Sequence, residues 1–288
     1  MEQVSQIIDS GIAVTLRRPA QSATRPLPAI VLCHGFCGIQ DILLPAFASA
    51  FTQAGFATVT FDYRGFGASE GERGRLIPEW QIADILSVVG WLETQPGVDA
   101  GRIGLWGTSF GGCHIFGAAA RNPRIKCLVS QLAFADGEAI VTGQMSAEEK
   151  RGFVESLEKM AQKREATGKE MLVAITRVLS DDESKAFFNE NKERYPAMDI
   201  KIPFLTVRET LLYRPAENAA RISCPTLVVI AGADTVNPPE QGQALYDAVG
   251  AVQKQLYVEE GARHYDMYSG PHFENSIAQQ LAWFRQYL

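Results

Sequence analysis

Ser109 stands at the centre of Gly107-Thr108-Ser109-Phe110-Gly111, straight after the apolar run Ile103-Gly104-Leu105-Trp106. A Gly-x-Ser-x-Gly between a strand and a helix forms a nucleophile elbow: the glycines permit a turn that a Cβ would crowd, and the serine takes a strained backbone that pushes its hydroxyl into a cleft. A serine hydroxyl is a weak nucleophile at neutral pH. It needs a base, usually His, and that His needs a carboxylate to fix its tautomer and stabilise the imidazolium. Of the four histidines, His264 follows an apolar segment at 253–258 by a short Glu-Glu-Gly-Ala-Arg turn, which puts it in a loop at that segment's carboxyl end. His34 precedes Gly35 after an earlier strand and reads as turn support, His114 lies on the helix after the elbow, and His272 sits in a Gly-Pro-His turn. Asp234, just after the run at 225–231, is the expected orienting acid; it also precedes a helix near Pro238, a place where Asp serves as a cap. Asp136 is the alternative acid, and Asp266 is too close in sequence to His264 for an easy approach to its ring.

The oxyanion of a tetrahedral intermediate calls for donors already fixed in the fold, and backbone N–H groups suit. Phe110 supplies one, immediately after the nucleophile at a helix start. Phe36 supplies the other, in the turn His34-Gly35-Phe36 that ends the strand at 29–33.

The elements that must position these residues follow from periodicity. Two short strands at 3–8 and 12–18 flank Asp9-Ser10-Gly11, a hairpin signal. Strand 29–33, helix 41–54, strand 57–62, helix 78–95, strand 102–106, a helix through 121 and strand 125–131 then alternate. That rhythm argues for a mostly parallel sheet with helices on both faces. It breaks after Ala135. From 137 to 218 the chain is rich in Glu, Lys, Arg and Met, carries Phe153, Leu157 and Met160 at helical spacing, and shows no convincing strand, so it reads as a helical insertion whose apolar stripe packs on the core. Alternation resumes with strand 225–231, helix 238–249, strand 253–258 and a final helix over 273–287. The expected organisation is a core of 1–136 and 219–288 and a cap of 137–218.

The segments His34-Gly35-Phe36-Cys37-Gly38, Phe61-Asp62-Tyr63-Arg64-Gly65-Phe66-Gly67-Ala68-Ser69-Glu70-Gly71, Gly107-Thr108-Ser109-Phe110-Gly111-Gly112 and His264-Tyr265-Asp266-Met267-Tyr268 resemble those of serine α/β-hydrolases, over nearly the whole chain. The order Ser109, Asp234, His264 is the order of that superfamily. Within it the chain is similar to the branch of dienelactone-hydrolase-like and X-Pro dipeptidyl-peptidase-like hydrolases and fungal polyketide transferases. A dienelactone hydrolase proper uses a cysteine nucleophile, and Ser109 counts against that activity. The resemblance implies an α/β-hydrolase fold with a helical cap and a carboxylesterase-like serine hydrolase that needs no cofactor. Acyl transfer of the polyketide-transferase kind, or thioesterase or peptidase action with the same triad, are the alternatives; a non-catalytic ligand-binding protein on this fold is a further one. Thr206, Thr210 and Tyr213, where the cap returns to the sheet, are candidate substrate-binding residues.

Composition narrows the partners. With 288 residues, 46% of them hydrophobic, the chain can bury a large core, and a formal charge of -6 gives no footprint for nucleic acid. Neither a signal peptide nor a membrane span is read in it, so the expected partner is a small-molecule acyl substrate in the cytoplasm, without nucleic acid or membrane; a homo-oligomer is left open. Five cysteines, mostly in or beside apolar runs, suit buried thiols in a reducing compartment. Cys33-His34-Gly35-Phe36-Cys37 lacks the second ligand pair of a zinc site, so no metal is expected. Gly65-Phe66-Gly67 follows a strand as a dinucleotide fingerprint would, but Glu70 stands at the third glycine position and the next helix begins only near Pro78, which points to a loop braced by Arg64 and Glu70.

Overall fold

Two strands open the chain, β1 (Glu2–Ile7) and β2 (Ala13–Arg18), paired antiparallel around the expected turn. The computed structural model describes residues 1–20 and 25–288. β3 (Leu27–Cys33), α1 (Leu44–Gln53), β4 (Ala57–Phe61), α2 (Pro78–Glu93), β5 (Val98–Thr108), α3 (Phe110–Arg121) and β6 (Leu128–Gln131) then alternate. The next segment holds α4 (Gly137–Thr142), α5 (Ala147–Thr167), β7 (Leu172–Ala174), α6 (Asp182–Asn191), β8 (Lys201–Pro203), α7 (Thr206–Leu212) and α8 (Pro215–Ala219). Alternation returns with β9 (Thr226–Ala231), α9 (Pro239–Ala248), β10 (Lys254–Glu259) and α10 (Gly270–Tyr287).

Eight strands form one sheet in the order β1-β2-β4-β3-β5-β6-β9-β10. β1, β2 and β4 pair antiparallel, and every pairing from β4 to β10 is parallel. The central strands serve two cores by alternation. Along β3, Ala29, Val31 and Cys33 join one core with α2 and α3, while Ile30 and Leu32 join the other with α1 and α10. This two-residue period is that of a strand covered on both faces, so the sheet is the middle of three layers. All the parallel strands point the same way, and the loops at their carboxyl ends gather on one edge. That edge carries residues 34–36, Ser109, Asp234 and His264.

The segment 137–218 differs from expectation in one respect: β7 and β8 pair antiparallel through Leu172↔Pro203, Val173↔Ile202 and Ala174↔Lys201. Three residues per strand are too few to show a period, and their pairing is non-local, so neither strand is visible in the sequence. The helical stripe packs within the segment rather than on the sheet's cores, because α7 covers it. Leu157 is buried with Val207 and Leu211, and Phe153 packs beside them, so α5 lies on α7. α5 itself starts at a reciprocal Ser146/Glu149 capping box and stops at Gly168 in the left-handed region. No helix among the described residues is long and apolar enough to cross a membrane.

Candidate active site

Ser109 has φ 54 and ψ -121, between the last residue of β5 and the first of α3. Its N–H donates to Gln131 O at 2.8 Å, which fastens the elbow to β6. A Cβ on Gly107 would lie 2.3 Å from Gly111 O, and one on Gly111 would lie 2.2 Å from Cys33 O, so strand, helix and neighbouring strand close on one another only without side chains at these two positions. Backbone strain of this kind costs on the order of 1–3 kcal/mol and persists only where the surroundings over-determine it.

The expected base and acid follow neighbouring strands. Asp234 follows β9 and His264 follows β10; the two loops are joined by Ala233 N–H donating to Ala262 O at 2.8 Å. His264 Nδ1 lies 2.7 Å from Asp234 Oδ2, with side chains 4% and 1% exposed. A carboxylate oxygen accepts, so the tautomer this contact favours carries its proton on Nδ1 and its lone pair on Nε2. Asp234 Oδ1 accepts from Val236 N–H at 2.8 Å and Asn237 N–H at 2.9 Å and so braces its own loop; α9 starts after Pro238 without a side-chain cap, so the cap role open to Asp234 in the sequence is not taken. Asp136 instead caps α4, accepting from Glu138 N–H at 2.7 Å, and Asp266 pairs with Arg263.

The turn after β3 lies against the elbow: a Cβ on Gly35 would be 3.1 Å from Ser109 Cβ. Phe36 and Phe110, whose N–H groups have no acceptor among the described hydrogen bonds, meet edge to face with ring centroids 5.5 Å apart. His34 Nε2 is bonded to Ile42 O at 3.0 Å, and burial pushes its pKa down to about 4, which keeps the ring neutral. Burial also drives the Cys33 and Cys37 thiols upward, away from reactivity. Of the two charges read as bracing the Asp62 to Gly71 loop, Arg64 does so, its Nε donating to Asp84 Oδ1 at 2.7 Å, while Glu70 is tied by its backbone N–H to Gly11 O at 2.9 Å.

Ser109 and His264 line one compartment but are not hydrogen bonded to each other. Ser109 Oγ is instead met by Asn237 Nδ2 at 3.2 Å, whose amide also donates to Leu132 O at 2.7 Å. Sequence reading missed Asn237, because Asn before Pro238-Pro239 looks like an ordinary helix start. It also missed a buried polar chain under the elbow. Trp106 Nε1 donates to Gln280, Gln280 to Gln131, and Gln131 to Thr108, whose hydroxyl lies 2.6 Å from Tyr268 Oη.

Two compartments meet at Ser109. A narrow one of about 70 Å³ is lined by His264, Tyr265 and Tyr268 and closed by Ser184, Phe187 and Phe188 of α6. A wide one of about 640 Å³ runs under α4, α5 and α7. Of the three residues expected to meet substrate, Thr210 lines the wide compartment, while Thr206 and Tyr213 line neither. Thr206 O accepts from Thr210 Oγ1 at 3.0 Å. Tyr213 Oη lies 2.9 Å from His114 Nδ1, and its ring stacks on Phe110 at 5.9 Å, so it supports the elbow from behind. His114 Nε2 is bonded in turn to Gln81 Oε1 at 2.8 Å, and burial lowers its pKa to about 3.

A family model described as alpha/beta hydrolase fold matches residues 28–271, and the chain belongs to that family. It is 60% identical over 281 residues, 98% of each chain, to an uncharacterized 31.7 kDa protein of the traX-finO intergenic region of Escherichia coli. The thiohydrolase aneE of Aspergillus aculeatus is 27% identical, over 91% of this chain and 86% of its own. Among solved structures, DcsB in complex with its substrate analogue superposes with a TM-score of 0.83 at 23% identity, covering 100% of this chain and 99% of that one, a likeness of fold.

Proposed function

We propose that this protein is a serine hydrolase that cleaves an ester or another activated acyl bond through an acyl-enzyme on Ser109. The observation that carries this reading is the strained serine opening onto the cleft that His264, hydrogen bonded to the buried Asp234, also lines. Ser109 Oγ leaves Asn237 Nδ2 for His264 Nε2 once substrate is bound; such contacts commonly tighten only in the substrate complex. His264 takes the hydroxyl proton as the Oγ–C bond forms, then delivers it to the leaving group as the C–X bond breaks. Water, deprotonated by the same ring, releases the acid and restores the serine. Asp234 holds the Nδ1 tautomer throughout. The Phe36 and Phe110 N–H groups, free of protein acceptors, receive the oxyanion.

The segment 137–218 acts as a cap, since α4, α5, α6 and α7 supply walls of both compartments. The thiohydrolase name of one relative favours a thioester among the activated acyl bonds. Replacing Ser109 with Ala tests the reading: acyl ester turnover should vanish while the fold, followed by circular dichroism, is kept, and unchanged turnover would refute it.

A further inference from the structure

The two compartments at Ser109 are unequal, and the direction of proton transfer says which part of the substrate each receives. They share only the walls Phe36, Leu179 and Val236 besides Ser109 itself. His264 belongs to the narrow one alone. A leaving group must take its proton from His264 Nε2 and therefore lies on the His264 side, while the rest of the acyl group extends from the same carbon away from it. The narrow compartment then holds the leaving group and the wide one the acyl group.

Their sizes and walls set the substrate. At about 70 Å³ against about 640 Å³, the leaving-group side has roughly a ninth of the room of the other. Its roof is fastened. Glu183 Oε1 of α6 accepts from Tyr265 N–H at 3.0 Å, beside His264; Glu183 Oε2 accepts from Thr235 Oγ1 at 3.4 Å, beside Asp234; and Phe187 stacks on Tyr265 at 4.3 Å. Widening it means lifting α6 off both loops that carry the base and its acid. The acyl side, at about 640 Å³, falls in the range of roughly 300–1,000 Å³ that takes drug-sized ligands. Phe134, Ile140, Val141, Met145, Phe153 and Val207 make it apolar, and the exposed Gln144 and Arg177 add polar groups.

Resting on the Ser109 reading, we infer that the substrates combine a bulky, largely apolar acyl group with a slender leaving group, a short alkyl alcohol or thiol. Ser109 Oγ bonds to the acyl carbon, the bond to the slender alkoxide or thiolate breaks, and that group departs with the proton passed on by His264.

Four thioesters with alkanethiol leaving groups test this on the full chain: S-ethyl and S-(2-naphthylmethyl) esters of acetate and of decanoate. kcat/KM should rise at least tenfold from acetyl to decanoyl with S-ethyl, and fall at least tenfold from S-ethyl to S-naphthylmethyl with decanoyl. Phe187→Ala should raise the naphthylmethyl-to-ethyl ratio at least fivefold, and Met145→Trp should lower the decanoyl-to-acetyl ratio. A preference for S-naphthylmethyl thioacetate over S-ethyl decanethioate, with Ser109 still labelled by a fluorophosphonate, overturns the assignment of the compartments alone. Failure of Ser109 to label overturns the serine reading and this inference with it.

Discussion

Asn237 Nδ2 reaches Ser109 Oγ at 3.2 Å while also holding Leu132 O at 2.7 Å. Leu132 has φ 54, one of four non-glycine residues of positive φ among the described residues, and Ser109 is another. One side-chain amide thus joins Ser109 to the strained loop after β6, and the backbone N–H of the same residue is held by Asp234 Oδ1.

Asn237→Ala leaves Leu132 O buried without its donor, and an unpaired buried acceptor costs about 1–3 kcal/mol. Urea unfolding should show that loss, and Asn237→Asp, which sets a carboxylate against the same carbonyl, should lose more. Equal stability of all three proteins would mean that the amide contributes nothing to the loop.

The identity of the acid is separable by paired variants. Asp234→Asn removes the acceptor that fixes His264 and should lower kcat on the order of 10³–10⁴-fold, as in a Ser-His-Asp triad. Asp136→Asn touches the start of α4, where Asn caps nearly as well as Asp, and a 3.5 Å pair with Arg214, and should leave kcat within about twofold. Steady-state kinetics on the two proteins decide it.

Gly111→Ala drives a Cβ onto backbone at Cys33 O and His34 O, where nothing flexible can yield. A loss of about 3 kcal/mol is expected, from overpacking in the core. Gly152→Ala is the contrast: inside α5, with no heavy atom within 4 Å of the added Cβ, it should gain about 0.5–1 kcal/mol from helix propensity. Thermal melts of both variants read the difference.

His114 predicts an acid sensitivity with a definite sign. The unfolded chain binds a proton at this ring near the usual 6.5, the buried ring only near 3. Its contribution to stability is therefore complete above about pH 6.5 and is lost as pH falls toward 3, reaching roughly 2 kcal/mol by pH 5. His34, held near 4, acts in the same sense and is present in both proteins compared. Melting temperature should fall less steeply from about pH 7 to pH 4 in His114→Gln than in the parent; parallel slopes would contradict the buried neutral ring.

The elbow and the pairing of His264 with Asp234 were legible because each rests on a local pattern: glycines where a Cβ meets backbone, and polar residues just past apolar runs. What escaped was non-local. β7 and β8 are three residues each and exist through one another, Asn237 meets Ser109 across 128 positions, and Gln280 meets Trp106 across 174. Tyr213 illustrates the converse. Its place near the cap's return to the sheet suggested substrate, yet its hydroxyl is spent on His114 and its ring on Phe110, partners that only the packing of α3 brings to it.

An activated serine at 109 reacts with a fluorophosphonate, and peptide mass spectrometry locates the adduct. A single adduct on Ser109 is expected, absent in Ser109→Ala and formed at least a hundredfold more slowly in His264→Ala. Labelling at another residue, or an equal rate without His264, would contradict it.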